Sequence, residues 1–230
     1  AKYPDEIANM KKDGSFDDDG FSKVYDAWWA DKRARRDIDI DRENVQSFVR
    51  ASTGAMLESG NGGNFVYSPL NVYMALSMLA ECTGGDSRTQ ILSLLRENRL
   101  EDVRAQAKAL WNANYCADGA VTSVLASSVW LDDGVGYVQK TLDTLAQDYY
   151  ASSFSGEMGS DSYNKALQSW LNEQTGGLLQ EQASGLEFTP ETVMALATTI
   201  YYRAKWSQEF SKSQTSEDTF HADSGDITCE

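Results

Sequence analysis

The sequence predicts an α+β fold in which helices gather around a central sheet buried on both faces. Three observations lead to it. Segments 121–131 and 192–202 are long and carry small or apolar residues on both faces, as strands covered on each side do. Segment 70–80 has a helical pattern that is apolar nearly all round, which belongs in an interior. Segment 162–174 carries one stripe (Tyr163, Ala166, Leu167, Trp170, Leu171) with a polar back, the pattern of a helix lying on a surface.

The 230 residues suffice for one large domain or two small ones, and their formal charge is -15. Acidic residues are spread along the chain, so nucleic acid and anionic membrane surfaces, which repel it at long range, are excluded as partners. No stretch approaches the apolar length needed to span a bilayer. Cys82, Cys116 and Cys229 are odd in number, far apart and without a CxxC pair, which speaks against a disulfide-stapled scaffold and a zinc site. At least one thiol stays free in a monomer. The chain opens at Ala1 with neither an initiator Met nor an apolar signal segment, which reads as a processed or trimmed start from which any targeting segment would be missing.

Taken in order, residues 1–42 read as an extension or linker, solvated or forming a surface helix. The acidic run 17–19 and the basic run 32–36 flank a short aromatic stretch at 25–29. Residues 43–230 then form part of one domain. Val45, Phe48, Val49, Ser52 and Met56 fall at helical spacing, and the glycines of 60–63 break that helix. Residues 64–67 read as a short buried strand. Ser68 and Pro69 start the apolar helix: the hydroxyl can cap free amides, and proline loses only an amide that had no partner. Gly84 and Gly85 end it. Asp86 or Ser87 is expected to cap the next helix, with Ile91, Leu92, Leu94 and Leu95, and a further helix carries Val103, Ala107, Leu110 and Trp111. The strand 121–131 closes at 132–134, residues 138–149 are helical, and after Trp206 a polar pattern around Phe210 and Phe220 leads to an apparent strand at the end.

Catalysis finds little support. His221 stands alone in a polar stretch, whereas a nucleophile–base pair needs a base fixed beside its nucleophile. Ser162 and Lys165 match SxxK without a companion KTG, so the match reads as a helix start. Asp223-Ser224-Gly225 lacks the apolar flanks of an aspartic-protease triplet, and Gly84-Gly85 lacks the spacing of a nucleotide loop. The chain is read as neither an enzyme nor a cofactor binder.

Residues 64–95, NFVYSPLNVYMALSMLAECTGGDSRTQILSLL, resemble the segment of the serpin family in which a buried strand enters a helix through N-x-x-x-S-P-x-S/N. Residues 170–177, WLNEQTGG, are similar to the family's W-V-x-x-x-T-x-G. Residues 196–206, LATTIYYRAKW, are similar to L-x-N-A-I-Y-F-K-G-x-W. Val129-Trp130-Leu131 and Tyr149-Tyr150-Ala151 match a strand end and the Y-x-A after a helix. The sequence departs from the pattern at Asn71 (usually Ser), Thr198 (usually Asn), Ala204 (usually Gly) and Cys82-Thr83 (usually Gly-Ala).

The resemblance implies the N-terminal part of a serpin fold: N-terminal helices around a large sheet A, with part of sheets B and C. It implies inhibition of a serine or cysteine protease by a reactive loop that is attacked, forms an acyl-enzyme and inserts as a strand beside 192–202. A non-inhibitory ligand carrier or chaperone is the alternative. In the family's terms Ser68, Pro69, Asn71 and Thr198 would form the shutter under the opening sheet, and Trp206 would mark the breach where insertion begins. The reactive loop lies outside this sequence. The implied partners are a target protease and the C-terminal segment of the same protein, at an extracellular or cell-surface location. Heparin is not expected: the matching helix offers Arg104 and Lys108, but Glu101 and Asp102 sit beside them and the net charge opposes a polyanion.

Overall fold

The computed structural model describes residues 1–59, 66–206, 211–222 and 224–229. After a 3-10 turn at Ile7–Asn9, the chain forms α1 (Asp18–Arg36), α2 (Arg42–Ser59), α3 (Pro69–Cys82), α4 (Gly85–Leu95) and α5 (Leu100–Asn114). Then come β1 (Cys116–Ala117), β2 (Val121–Asp132), α6 (Gln139–Asp148), β3 (Ala151–Gly156), α7 (Asp161–Gln174), α8 (Gln180–Ala183) and β4 (Met194–Ala204). A second 3-10 turn, Lys212–Gln214, precedes the hairpin of β5 (Asp218–Ala222) and β6 (Gly225–Cys229).

The two long strands are neighbours, as expected. β2 pairs antiparallel with β4 along its length, with Leu125 opposite Ile200, Ser127 opposite Thr198 and Leu131 opposite Met194. Its other edge is shared by β1, antiparallel, and β3, parallel. Because side chains alternate across a strand, this register divides the sheet into two faces. Leu125, Val129 and Leu131 point to one, with Met194 and Leu196, and pack on Met74 and Met78 of α3 and Leu145 and Tyr149 beside α6. Trp130, Ala126, Ala195 and Ala197 point to the other and are covered by Tyr163, Leu167, Trp170 and Leu171 of α7. Each fully buried Leu or Met contributes about 2 kcal/mol, so the sheet is held from both sides. A third cluster joins Phe48, Tyr73, Ile91, Leu95, Val103 and Leu110 across α2 to α5.

Two expectations need correction. Val66 and Tyr67 are not in a strand, and Val66 is fully exposed (100%); a strand exists only against a partner, and none pairs with them among the described residues. Residues 60–63, the remaining strand residues 64 and 65, and Phe210 lie outside the described residues. The cap of α4 is Gly84, with no side-chain bond, rather than Asp86 or Ser87, which stand inside the helix. Ser162 stands in the first turn of α7, as expected of a helix start, and the helix is capped by Ser160, whose Oγ accepts from Tyr163 N–H (3.3 Å).

Candidate functional site

The start of α3 meets the middle of β4, and this contact gathers most of the residues singled out in the sequence. Ser68 holds an extended backbone and its Oγ accepts the Asn71 N–H (3.3 Å), while Pro69 begins the helix. Asn71 C=O in turn accepts a hydrogen bond from Thr198 Oγ1 (3.3 Å). Thr198 therefore ties the strand to the helix beneath it, opposite Ser127 of β2. Asn71 Oδ1 and Ser127 Oγ are buried with no hydrogen-bond partner among the described residues. Buried polar atoms left unpaired are costly, so this is a locally weak point in an otherwise apolar layer. Beside it a groove of about 300 Å³ runs between α3 and β4, lined by Asn71, Val72, Ala75, Leu76, Leu79, Leu196 and Thr198.

Trp206 does not join this group. It lies beyond Ala204, more than about 20 Å along the strand from Thr198 at strand rise, and is 72% exposed. Among the described residues β4 pairs on one edge only, with β2. Its other edge carries main-chain groups without a strand partner in that set.

The opposite face is an aromatic clamp. Trp130 stacks on Phe154 (4.1 Å between centroids) and meets Tyr163 (5.3 Å), Phe188 (5.8 Å) and Trp170 (6.4 Å). Its Nε1 donates to Ser128 Oγ (2.8 Å), and Tyr163 Oη donates to Leu131 C=O (3.1 Å). After α7 the backbone turns at Gly176, whose φ of +63° is disfavoured for residues with a Cβ, and a Cβ there would lie 2.8 Å from the Tyr201 ring.

Sequence reasoning missed a buried charge. Glu81, its side chain 4% exposed, receives Arg104 through two nitrogens (Nη2–Oε2 2.8 Å) and the Tyr149 hydroxyl (2.9 Å). Burial first, then the Glu81 charge, pushes the Tyr149 phenol far above its ordinary value, and the hydrogen bond to Glu81 raises the Arg104 guanidinium. The one signal was a lone acid in a helix otherwise apolar all round. Lys108 is also engaged, with Asp148 (3.0 Å), so both cations weighed for a polyanion have acidic partners within the chain. His221 lies on the exposed hairpin, Nδ1 2.6 Å from Asp226 Oδ1. Among the described residues no group of three or more His, Cys, Asp or Glu is placed to hold a metal.

The model of the Serpin family (serine protease inhibitor) matches residues 43–228. The chain belongs to the serpin family. Alpha-1-antitrypsin of Meriones unguiculatus is 26% identical over 189 residues, which are 80% of this chain and 46% of the relative. The chain thus spans about half the length of the curated relatives it matches. Cleaved kallistatin complexed with heparin superposes with a TM-score of 0.71 at 21% identity, covering 80% of this chain and 55% of that one. Human thyroxine-binding globulin complexed with thyroine does so with a TM-score of 0.70 at 18% identity, covering 80% and 51%. These two likenesses place this serpin's fold.

Proposed function

We propose that this chain is the N-terminal part of a protease inhibitor that traps its target by inserting a cleaved loop as a strand beside β4. The observation that carries the reading is the edge of β4: eleven residues, Met194–Ala204, ordered by β2 on one side and lacking a strand partner among the described residues on the other. A strand added there would complete a main-chain ladder and cover the groove above α3. In this reading Ser68, Pro69, Asn71 and Thr198 act as the shutter, because the Thr198–Asn71 bond links β4 to the helix past which it must slide. Trp206 marks the end at which insertion starts.

The partners in this reading are a serine or cysteine protease, held as an acyl complex through a loop outside this sequence, and the C-terminal part of the same protein. The location is extracellular or cell-surface. The test is to incubate the full-length protein with serine and cysteine proteases and separate the products in denaturing gel. A complex that survives denaturation supports inhibition; cleavage of the loop without any complex overturns it. The likeness to a thyroine-bound globulin supports a second reading, a non-inhibitory ligand carrier, which that second outcome would favour. Heparin has no part in either reading, since Arg104 and Lys108 are committed to Glu81 and Asp148.

A further inference from the structure

The family match begins at residue 43, yet the residues before it are attached to the domain, through Asp41 to Gln106 of α5 and at the turn that holds Asp118. Trp28 Nε1 donates to Asp118 Oδ2 (2.7 Å), and Tyr3 N–H donates to Asp118 C=O (2.7 Å). The Tyr3 and Trp28 rings meet edge to face at 5.3 Å, and Lys32 Nζ lies 4.1 Å over the Trp28 ring. α1 buries no residue fully; it also lies along α5, where Asp31, Ala34 and Arg35 line a groove with Ala105, Lys108 and Tyr115, so the contacts at Asp118 are the part of its hold that reaches the β1–β2 turn.

Asp118, only 6% exposed, is the centre of the turn between β1 and β2. Its Oδ1 accepts from Ala120 N–H (2.9 Å) and Val121 N–H (2.7 Å), and its own N–H donates to Val121 C=O (3.1 Å). Burial works to raise this carboxyl, but the bonds from Trp28, Val121 and Ala120 hold it below its ordinary value. The turn is bound in its turn to the end of β4. Ala120 C=O accepts from Lys205 N–H (2.8 Å), and Val121 pairs with Ala204. A continuous path therefore runs from Trp28 through Asp118 and Ala120 to Lys205, the neighbour of Trp206.

We propose that residues 1–36 are a strap that pins the β1–β2 turn through the Trp28–Asp118 bond and so sets how readily the Val121/Ala204 end of the β2–β4 pair loosens. The inference rests on the fold and stands whether or not the protein inhibits a protease. Within the insertion reading, the strap acts at the end of β4 where insertion starts, so its release eases entry there.

The test is site-resolved amide hydrogen exchange on the full-length protein, comparing the parent with Trp28→Phe, Asp118→Asn and the double variant. Trp28→Phe keeps a ring against Tyr3 and removes the donor; Asp118→Asn keeps the shape and removes the Oδ2 acceptor. A hydrogen bond to a buried charge predicts about tenfold faster exchange at Ala120, Val121 and Lys205 in each single variant. The double variant should exchange no faster than Asp118→Asn alone, with the amides of Val129 and Leu131 unchanged. Unaltered exchange at Ala120, Val121 and Lys205, additive effects, or equal acceleration at both ends of β2 would overturn the proposal. Should Trp28→Phe fail to fold, Asp118→Asn carries the same comparison of the two ends.

Discussion

Tyr73 and Tyr149 are both buried, but among the described residues only Tyr149 has its hydroxyl paired. Tyr149 donates to Glu81 (2.9 Å), whereas the Tyr73 hydroxyl has no hydrogen-bond partner among the described residues and its ring meets Phe48 edge-on at 5.2 Å. Burial is the main cause that raises both phenols above their ordinary value of 10.0. The unfolded chain loses these protons near that value and the folded chain keeps them. Stability is therefore unaffected by the two groups below about pH 10 and falls above it, by about 1.4 kcal/mol per pH unit for each. Tyr73→Phe is expected to stabilise by about 1 kcal/mol at pH 7, by removing an unpaired polar atom, and to halve the alkaline loss. Urea unfolding at pH 7, 10 and 11 checks both, and a loss of stability at pH 7 would contradict the first. Thr198→Val should cost about 1 kcal/mol through the bond to Asn71. Glu81→Gln should cost about 2 kcal/mol, less than a fully buried pair because Arg104 reaches solvent. Ser68 and Pro69 were legible because helix-start chemistry is local. The Glu81 site was not, since its partners Arg104 and Tyr149 stand 23 and 68 residues away.

Among elements, β2, β4 and α7 were readable because their apolar patterns describe the faces they bury: Trp130 and Trp170, read separately, meet in one cluster. The strand at 64–67 was misread at Val66 and Tyr67, because apolar residues alone do not make a strand where no neighbour pairs with them. α1 was only half legible. Phe21, Tyr25, Trp28 and Trp29 run at i, i+4, i+7 and i+8, a helical stripe, but the charge runs on either side left a solvated linker and a surface helix as equal readings. The loop after α7 offers a check at this scale. Gly176→Ala is expected to cost about 2 kcal/mol, from the left-handed backbone and the contact with Tyr201. Tyr201→Leu in the same chain should recover the part due to the ring. Equal losses with and without Tyr201 would assign the whole effect to the backbone.

For the whole molecule the telling feature is apolar surface at one end of the sheet and on the hairpin. Tyr202 (67%), Trp206 (72%), Phe220 (61%) and Ile227 (51%) are all largely exposed. In the proposed reading, residues 1–230 expressed alone are expected to aggregate, or to fold only when a C-terminal part is supplied. A soluble monomer with one sharp transition in urea would refute this. The cysteines give the same molecule a second property. Cys229 is exposed on β6, while Cys116 and Cys82 are partly covered. Burial raises both of those thiols, with the Glu81 charge adding to the effect at Cys82. A thiol reagent should therefore label Cys229 first, and Cys82, packed against the cluster between α3 and β2, last. The delay before Cys82 reacts is a built-in stopwatch for the parting of helix from sheet.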